Sequence, residues 1–326
     1  MLLLVLAGCS SRQSTLAPES HQARDIASLW WWMMGVAWIG FGVVAGILLL
    51  AWVRRDRRGI GRDREGAKPG EKISTAVVLG LGVAMPILLI AALFFVSDVF
   101  VIRTTQAPAA SATKLTVRVI GRQWYWEVRY PGTRAVTANE IHIPARTPVL
   151  LQATTADVIH SFWVPRLNRK IDTIPGKVNE ILLYADEPGE YRGQCAEYCG
   201  LQHAHMSMVV AAQPPAQFRA WLANEAAPAR SPAGGLAARG ERVFLAGPCS
   251  SCHTIRGTAA SGFVGPDLTH LASRRTLGAL TVPNRSADLA AWIVDSQHAK
   301  PGNQMPDVQL GASQLRALVA YLDSLK

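Results

Sequence analysis

The chain has 326 residues, with 33 Lys and Arg against 23 Asp and Glu, and it is 49% hydrophobic but only 17% charged. That length suggests two or three domains, and the low charged fraction points to membrane content. Collagen-like, fibrous and wholly disordered classes are excluded, and five cysteines are too few, and odd in number, for a small disulfide scaffold. The net charge of +10 is concentrated: residues 54–72 alone hold eight Lys/Arg and four Asp/Glu. Such a stretch reads as a membrane loop, and no nucleic-acid motif or partner goes with it.

Residues 1–9 read MLLLVLAGC, too short to span a bilayer. They look like the end of a bacterial lipoprotein signal, with lipid attachment expected at Cys9 and an outer segment over 10–29. The charged start of such a signal is missing, so the true start is expected upstream. The bland reading is a ragged terminus with a free cysteine. Residues 30–53 are apolar throughout and reach about 36 Å as a helix, enough to cross. Trp30, Trp31 and Trp32 at one end and Trp52 at the other are interfacial anchors. A second apolar run begins at residue 73 and gives a span over 73–97; Pro86 inside it is tolerable in a membrane helix. The outer flanks carry only Arg12, Arg24 and Arg103, so the basic loop at 54–72 is expected in the cytoplasm. Both ends are then outside a bacterial inner membrane, in agreement with a lipid on the outer face.

From Lys114 the period changes to two. KLTVRVIGRQWYWEVRY alternates, and later short runs are broken by Pro and Gly, which predicts a β-sandwich or barrel over 104–224. Its chemistry lies in Cys195, Cys199, His203 and Met206, spaced C-x3-C-x3-H-x2-M, with His160 upstream in HSFWVP. Thiolates, imidazoles and a thioether suit copper. One Cys would make a mononuclear site, whereas two thiolates on one loop can bridge two copper ions, with one His left for each. A Cys195–Cys199 disulfide would not require His203, Met206 or His160. Zinc favours C-x2-C spacings and uses Met poorly. A thioredoxin-like copper chaperone would have Pro, not Gly200, after the second cysteine.

The strings GRQWYWEV, HSFWVP, KIDTIPGK and GQCAEYCGLQHAHM resemble subunit II of the haem-copper cytochrome c oxidases over residues 26–224. The resemblance implies a cupredoxin-like domain with a binuclear copper A centre. Its ligands would be His160, Cys195, the Glu197 carbonyl, Cys199, His203 and Met206. It also implies that the Glu197 carboxylate binds magnesium at the subunit I interface, and that Trp124 is an exposed tryptophan through which electrons enter. Trp126 reads equally well as a cross-strand aromatic. His205, in an extended segment, would point away from the metals, and His142 reads as structural. His21, His270 and His298 have no partners at ligand spacing. Some members carry a carboxylate early in the second membrane helix; this run has none, and Glu71 lies just before it.

Residues 225–237, EAAPARSPAGGLA, read as a linker that would reach roughly 20 Å if flexible. Beyond it, Cys249, Cys252 and His253 form C-x-x-C-H, the c-type haem attachment motif: two thioether bonds and an axial imidazole. Met305 in KPGNQMP supplies a second axial ligand, and His/Met ligation suits electron transfer. His298 is the rival. With three helical segments, residues 238–326 are similar to class I cytochrome c, and Pro266 resembles the residue whose carbonyl orients the haem histidine. All five cysteines then have work: Cys9 for lipid, Cys195 and Cys199 for copper, Cys249 and Cys252 for haem.

The expected architecture is thus a transmembrane helix pair, an all-β cupredoxin-like domain and an all-α cytochrome c domain. The expected function is that of oxidase subunit II, relaying electrons from fused haem c through copper A to an oxygen-reducing, proton-translocating site in subunit I. Subunit III and a donor cytochrome c or upstream respiratory complex are the further partners. A related nitric oxide reductase and a copper-delivery protein are the alternatives; a quinol oxidase subunit would lack the copper ligands. Residues 104–224 hold twelve basic and nine acidic groups, and 225–326 ten and seven, so neither domain shows the acidic bias of a dock for a basic soluble cytochrome.

Overall fold

The computed structural model describes residues 13–57, 70–107 and 113–326. Cys9 and most of the basic loop lie outside the described residues. Two compact units are present, one made of Arg24–Thr105 and the other of the remaining chain.

The first unit holds two long helical stretches. α1 (His21–Arg57) outruns the predicted span 30–53 at both ends, because nothing in the flanking residues breaks a helix. The second stretch is α2 (Gly70–Leu79), a π-turn at Gly80–Ala84, α3 (Met85–Ser97), a second π-turn at Asp98–Ile102, and α4 (Arg103–Thr105). Pro86 has no N–H to offer the preceding turn. The Met85 N–H bonds back to the Gly80 carbonyl, so the extra residue of the π-turn takes up the slack that a proline would otherwise turn into a break. Both stretches are long and apolar enough to cross a membrane, and none of their most apolar residues is buried within the chain. Trp32 is 76% exposed and Phe94 72%. Apolar surface of that extent requires lipid or protein cover.

The second unit begins with residues that pack on a β-sandwich: the Ser20 hydroxyl donates to the Leu167 carbonyl and the Glu19 carboxylate pairs with Arg166. Ten strands follow. They are β1 (Leu115–Arg122), β2 (Tyr125–Arg129), β3 (Val136–Ala138), β4 (Glu140–Pro144) and β5 (Val149–Thr155), then β6 (His160–Trp163), β7 (Ile171–Thr173), β8 (Asn179–Leu183), β9 (Gly189–Cys195) and β10 (Ser207–Gln213). One sheet has the order β3-β2-β1-β5-β8, the other β4-β10-β9-β6-β7. The alternation in β1 explains the layering: Val117 and Val119 are buried while Arg118 is exposed. Trp126, Ile141, Leu151, Ile181 and Met208 fill the space between the sheets. α5 (Pro215–Ala226) closes the domain, with Trp221 stacked on His142 at 3.9 Å. His142 is structural in that contact.

The linker is shorter and less free than its composition suggests. Glu225 belongs to α5 and is 2% exposed, and α6 (Gly235–Ala246) has already begun by residue 235. Between them, the Ala229 N–H donates to the Arg256 carbonyl at 2.8 Å, so this stretch packs on the last domain. That domain continues with α7 (Cys249–Cys252), a short hairpin of β11 (Thr276–Leu277) and β12 (Val282–Pro283), α8 (Ser286–Val294), α9 (Ser296–Ala299) and α10 (Ala312–Leu322). α6 and α10 cross at Gly240, where a Cβ would lie 1.9 Å from the Ala317 carbonyl oxygen. Phe244 and Tyr321 meet edge-on beside the crossing, at 6.1 Å. His270 bonds to the Ala227 and Lys326 carbonyls, a structural role. His21 lies edge-on to Tyr184.

Candidate metal centre and haem site

The β-ladder brings the sulfur and nitrogen donors together. β6 runs antiparallel to β9 with Phe162 opposite Cys195, so His160, at the start of β6, lies next to the end of β9. β9 pairs with β10 with Gln194 opposite Ser207, and the Cys195 N–H bonds to the Met206 carbonyl at 2.8 Å. Residues 196–205 are therefore a loop tied at its base, with the donors along it. Gly200 turns that loop at φ +111°, in the half of the map that side chains disfavour.

Cys195 and Cys199 Sγ lie 3.8 Å apart, far from the roughly 2.05 Å of a disulfide. His160 Nδ1 is 3.9 Å and the Glu197 carbonyl 3.2 Å from Cys195 Sγ. His203 Nδ1 is 3.7 Å and Met206 Sδ 3.8 Å from Cys199 Sγ. One imidazole and one weak donor thus stand beside each sulfur. His160, Cys195 and Cys199 are all buried, and their donor atoms lie within 4.8 Å of one another. This soft donor set, gathered around two thiols, fits a pair of copper ions. Contact with the Cys199 thiol pulls the Cys195 pKa down to about 3, and the same contact pushes Cys199 up. Metal binding takes the thiols as thiolates and so releases the protons they carry.

Around the donors stand residues that fix them. Asp157 Oδ1 is 2.8 Å from His160 Nε2, which orients the ring and leaves Nδ1 toward Cys195. Burial alone would lower the His160 pKa, but Asp157 and Cys195 raise it. Trp126 stands edge-on to the same ring at 5.8 Å, and a Cβ on Gly121 would come within 2.6 Å of it. Trp126 is fully buried and belongs to the core. Trp124 is only 9% exposed, not open to solvent as expected. Its Nε1 donates to the Cys199 carbonyl at 2.9 Å, and the last domain covers its other side. His205 sits in a 3-10 turn with His203, not in an extended segment, and its Nδ1 is 2.7 Å from the Gln202 Oε1. The Glu197 Oε1 accepts from the Tyr198 N–H.

In the last domain a cavity of about 340 Å³ is lined by Cys249, Cys252, His253 and Met305 together with Leu268, Leu289, Trp292 and Leu318. His253 Nδ1 is 2.8 Å from the Pro266 carbonyl. That bond occupies one ring nitrogen and leaves Nε2 for iron. Gly265 is required beside it, because a Cβ there would lie 2.4 Å from His253 Cε1. Apolar walls, two thiols on one turn and an oriented imidazole fit a covalently held haem. Met305 is held through its backbone, with its N–H on Asn303 Oδ1 and its carbonyl taking Ser296 Oγ. His298 is engaged at its own N–H by Asp295 and does not line this cavity.

The periplasmic-domain model of cytochrome c oxidase subunit II matches residues 133–213, and a cytochrome c model matches 237–326. The cytochrome c oxidase subunit 2 of Bacillus subtilis is 29% identical over 344 aligned residues, covering 99% of this chain and 95% of its own length. The chain is a homologue of cytochrome c oxidase subunit II with a cytochrome c domain fused behind it. The subunit II of Alkalihalophilus pseudofirmus is 36% identical over 220 residues; that match takes in 67% of this chain and 64% of the relative's length. The periplasmic domain of subunit II of cytochrome oxidase of Bradyrhizobium japonicum is 32% identical and covers 37% of this chain and 96% of its own, with a TM-score of 0.35. A subunit II domain implies copper A and a cytochrome c domain implies haem c. An oxidase subunit II implies a complex with other oxidase subunits, and the two apolar helices fit a membrane-anchored subunit.

Several residues that shape the two sites were not singled out from the sequence. Asp157, three residues before His160, was accessible in principle: an acid in the turn leading to a ligand histidine is a common orienting partner. Gly121 and Lys300 carry no local signal of these roles, because each acts on a residue far away in the chain.

Proposed function

We propose that this chain is the electron-accepting subunit of a haem-copper oxidase and serves a catalytic subunit that reduces oxygen to water. The observation that carries the reading is the placing of one imidazole and one weak donor beside each of two unbonded thiols, 3.8 Å apart, with Trp124 touching both this site and the haem cavity. His160, Cys195, the Glu197 carbonyl, Cys199, His203 and Met206 would hold two copper ions. Cys249 and Cys252 would hold haem c covalently, with His253 and Met305 on the iron and the Pro266 carbonyl orienting His253. Bound there, the two groups supply one-electron transfer toward the catalytic subunit.

The chain's own residues hold these sites apart from water. Asp157 and Trp126 keep His160 in one orientation, the Cys199 carbonyl is held by Gln123 and Trp124, and the Cys195 and Cys199 thiols are buried. Tyr198, 74% exposed on the copper loop, offers surface for packing on subunit I. The Glu197 carboxylate would take magnesium there. Cys9 would carry lipid, the basic loop would lie in the cytoplasm, and both outer domains would face the periplasm of a bacterial inner membrane. Subunit III and a donor cytochrome c or upstream complex complete the assembly.

The test is oxygen uptake by the purified complex that contains the full chain, with reduced cytochrome c or a chemical reductant as donor. Uptake is expected, and Cys195→Ser should abolish it. Reduction of nitric oxide without oxygen uptake would overturn the oxidase reading.

A further inference from the structure

Lys300 is a buried lysine whose environment the copper and haem sites do not explain; burial pulls its pKa down to about 7. It is 2% exposed and forms no ion pair among the described residues. Its ammonium donates to three backbone carbonyls: Trp124 at 2.8 Å, His205 at 2.9 Å and Gly278 at 3.0 Å. An ammonium has three donors, and all three are used. The acceptors come from two domains. Trp124 and His205 belong to the copper domain, on either side of the sulfur cluster in sequence; Gly278 belongs to the cytochrome. Lys300 itself begins the loop that ends in Met305.

Neighbouring contacts repeat the pattern. Gln202 Nε2 donates to the Pro301 carbonyl at 2.5 Å. A Cβ on Gly302 would lie 2.8 Å from Leu201 Cδ1, and Gly302 has φ +79°. The loop 300–302 therefore packs on the copper loop at 201–205 through side-chain-to-backbone contacts, and a side chain at residue 302 would crowd Leu201 and need a disfavoured backbone angle. Trp124 completes the bridge: its carbonyl receives Lys300 while its Nε1 donates to the Cys199 carbonyl. Burying a cation is costly, and the cost falls only where every donor finds an acceptor. Buried polar contacts of this kind select one arrangement over others. A tethered carrier that swung between partners would have to expose this network at each departure and rehydrate the Trp124 and His205 carbonyls and the lysine.

We infer that Lys300 is a positioning residue that bolts the methionine loop of the cytochrome onto the copper loop, so that the fused cytochrome is a fixed electron donor and not a mobile one. The inference rests on the electron-transfer reading for its purpose, but the docking it describes is tested separately.

A protease recognition sequence inserted between Arg230 and Ser231 allows the full chain, purified in its complex, to be cut between the domains. The cut wild-type cytochrome should remain bound through gel filtration. With Lys300→Met it should separate, and Gln202→Ala, which leaves the cytochrome sequence untouched, should weaken retention in the same direction. In the uncut chain, Lys300→Met should slow haem-to-copper electron transfer about tenfold or more, the scale of one lost charged hydrogen bond, with the optical spectra of both centres unchanged. Release of the cut wild-type cytochrome, or retention and unchanged transfer in the Lys300→Met chain, would overturn the inference. Metal analysis of the same samples separates the two ideas: a retained cytochrome without a copper pair contradicts the oxidase reading and leaves the docking intact.

Discussion

Gly240→Ala sets two effects of opposite sign against each other, and the structure says which wins. In an exposed helix the change would stabilise by about 1 kcal/mol, since alanine is the better helix former. At this crossing the new methyl would lie 1.9 Å from the Ala317 carbonyl oxygen and 2.5 Å from its carbon, where about 3.5 Å or more is comfortable. α6 and α10 would have to part by more than 1 Å in compensation, loosening Phe244 and Tyr321, both 1% exposed. Overpacking costs about 1–3 kcal/mol, and a backbone obstacle cannot turn to another rotamer, so the upper end applies. The net loss is about 2 kcal/mol. For a domain of this size each kcal/mol moves Tm by about 4–8 °C, so the cytochrome transition should fall by about 8–16 °C. Soret circular dichroism of the holoprotein follows that transition. A Tm that stays or rises would mean that propensity prevails and that the helices do not touch at Gly240.

Cys199→Ser should remove the delocalised copper signal from the paramagnetic-resonance spectrum and leave the haem spectrum intact; loss of both would argue against two independent centres. Met305→Ala should lower the haem potential in a redox titration, and an unchanged potential would remove Met305 as an iron ligand. Glu225 gives a pH test. Burial raises its pKa against the pull of Arg274, His270, Arg256 and His142. What it contributes to stability is therefore fully present below the unfolded value of 4.5 and lost as pH rises through the folded one. Glu225→Gln should raise Tm at pH 7 and give no gain below pH 4.5; an equal gain at both would refute the burial account.

The parts legible in the sequence are those written in local spacing. The two apolar runs, the alternating strands, C-x3-C-x3-H-x2-M and C-x-x-C-H are each readable within a few turns of chain. What escaped is set by tertiary contact. Trp124 looked like a surface residue because nothing near it in sequence shows that the cytochrome domain covers it. His205 was expected in an extended segment, but the Gln202 carbonyl, bonded to its N–H at 3.0 Å, winds the stretch into a 3-10 turn. Residues 227–234 have the composition of a free linker, yet Arg256 reaches across to the Glu225 carbonyl at 2.6 Å and anchors its start. Lys300 gave no signal at all, since its partners lie at 124, 205 and 278.

The account stands on two buried sulfurs holding a metal pair beside a covalently attached haem. Elemental analysis of the purified full-length chain, read with its paramagnetic-resonance spectrum, tests that most directly. The expected result is two copper atoms and one haem iron per polypeptide, with one unpaired electron shared over both coppers. Zinc in place of copper, or a single copper with a mononuclear spectrum, would contradict it.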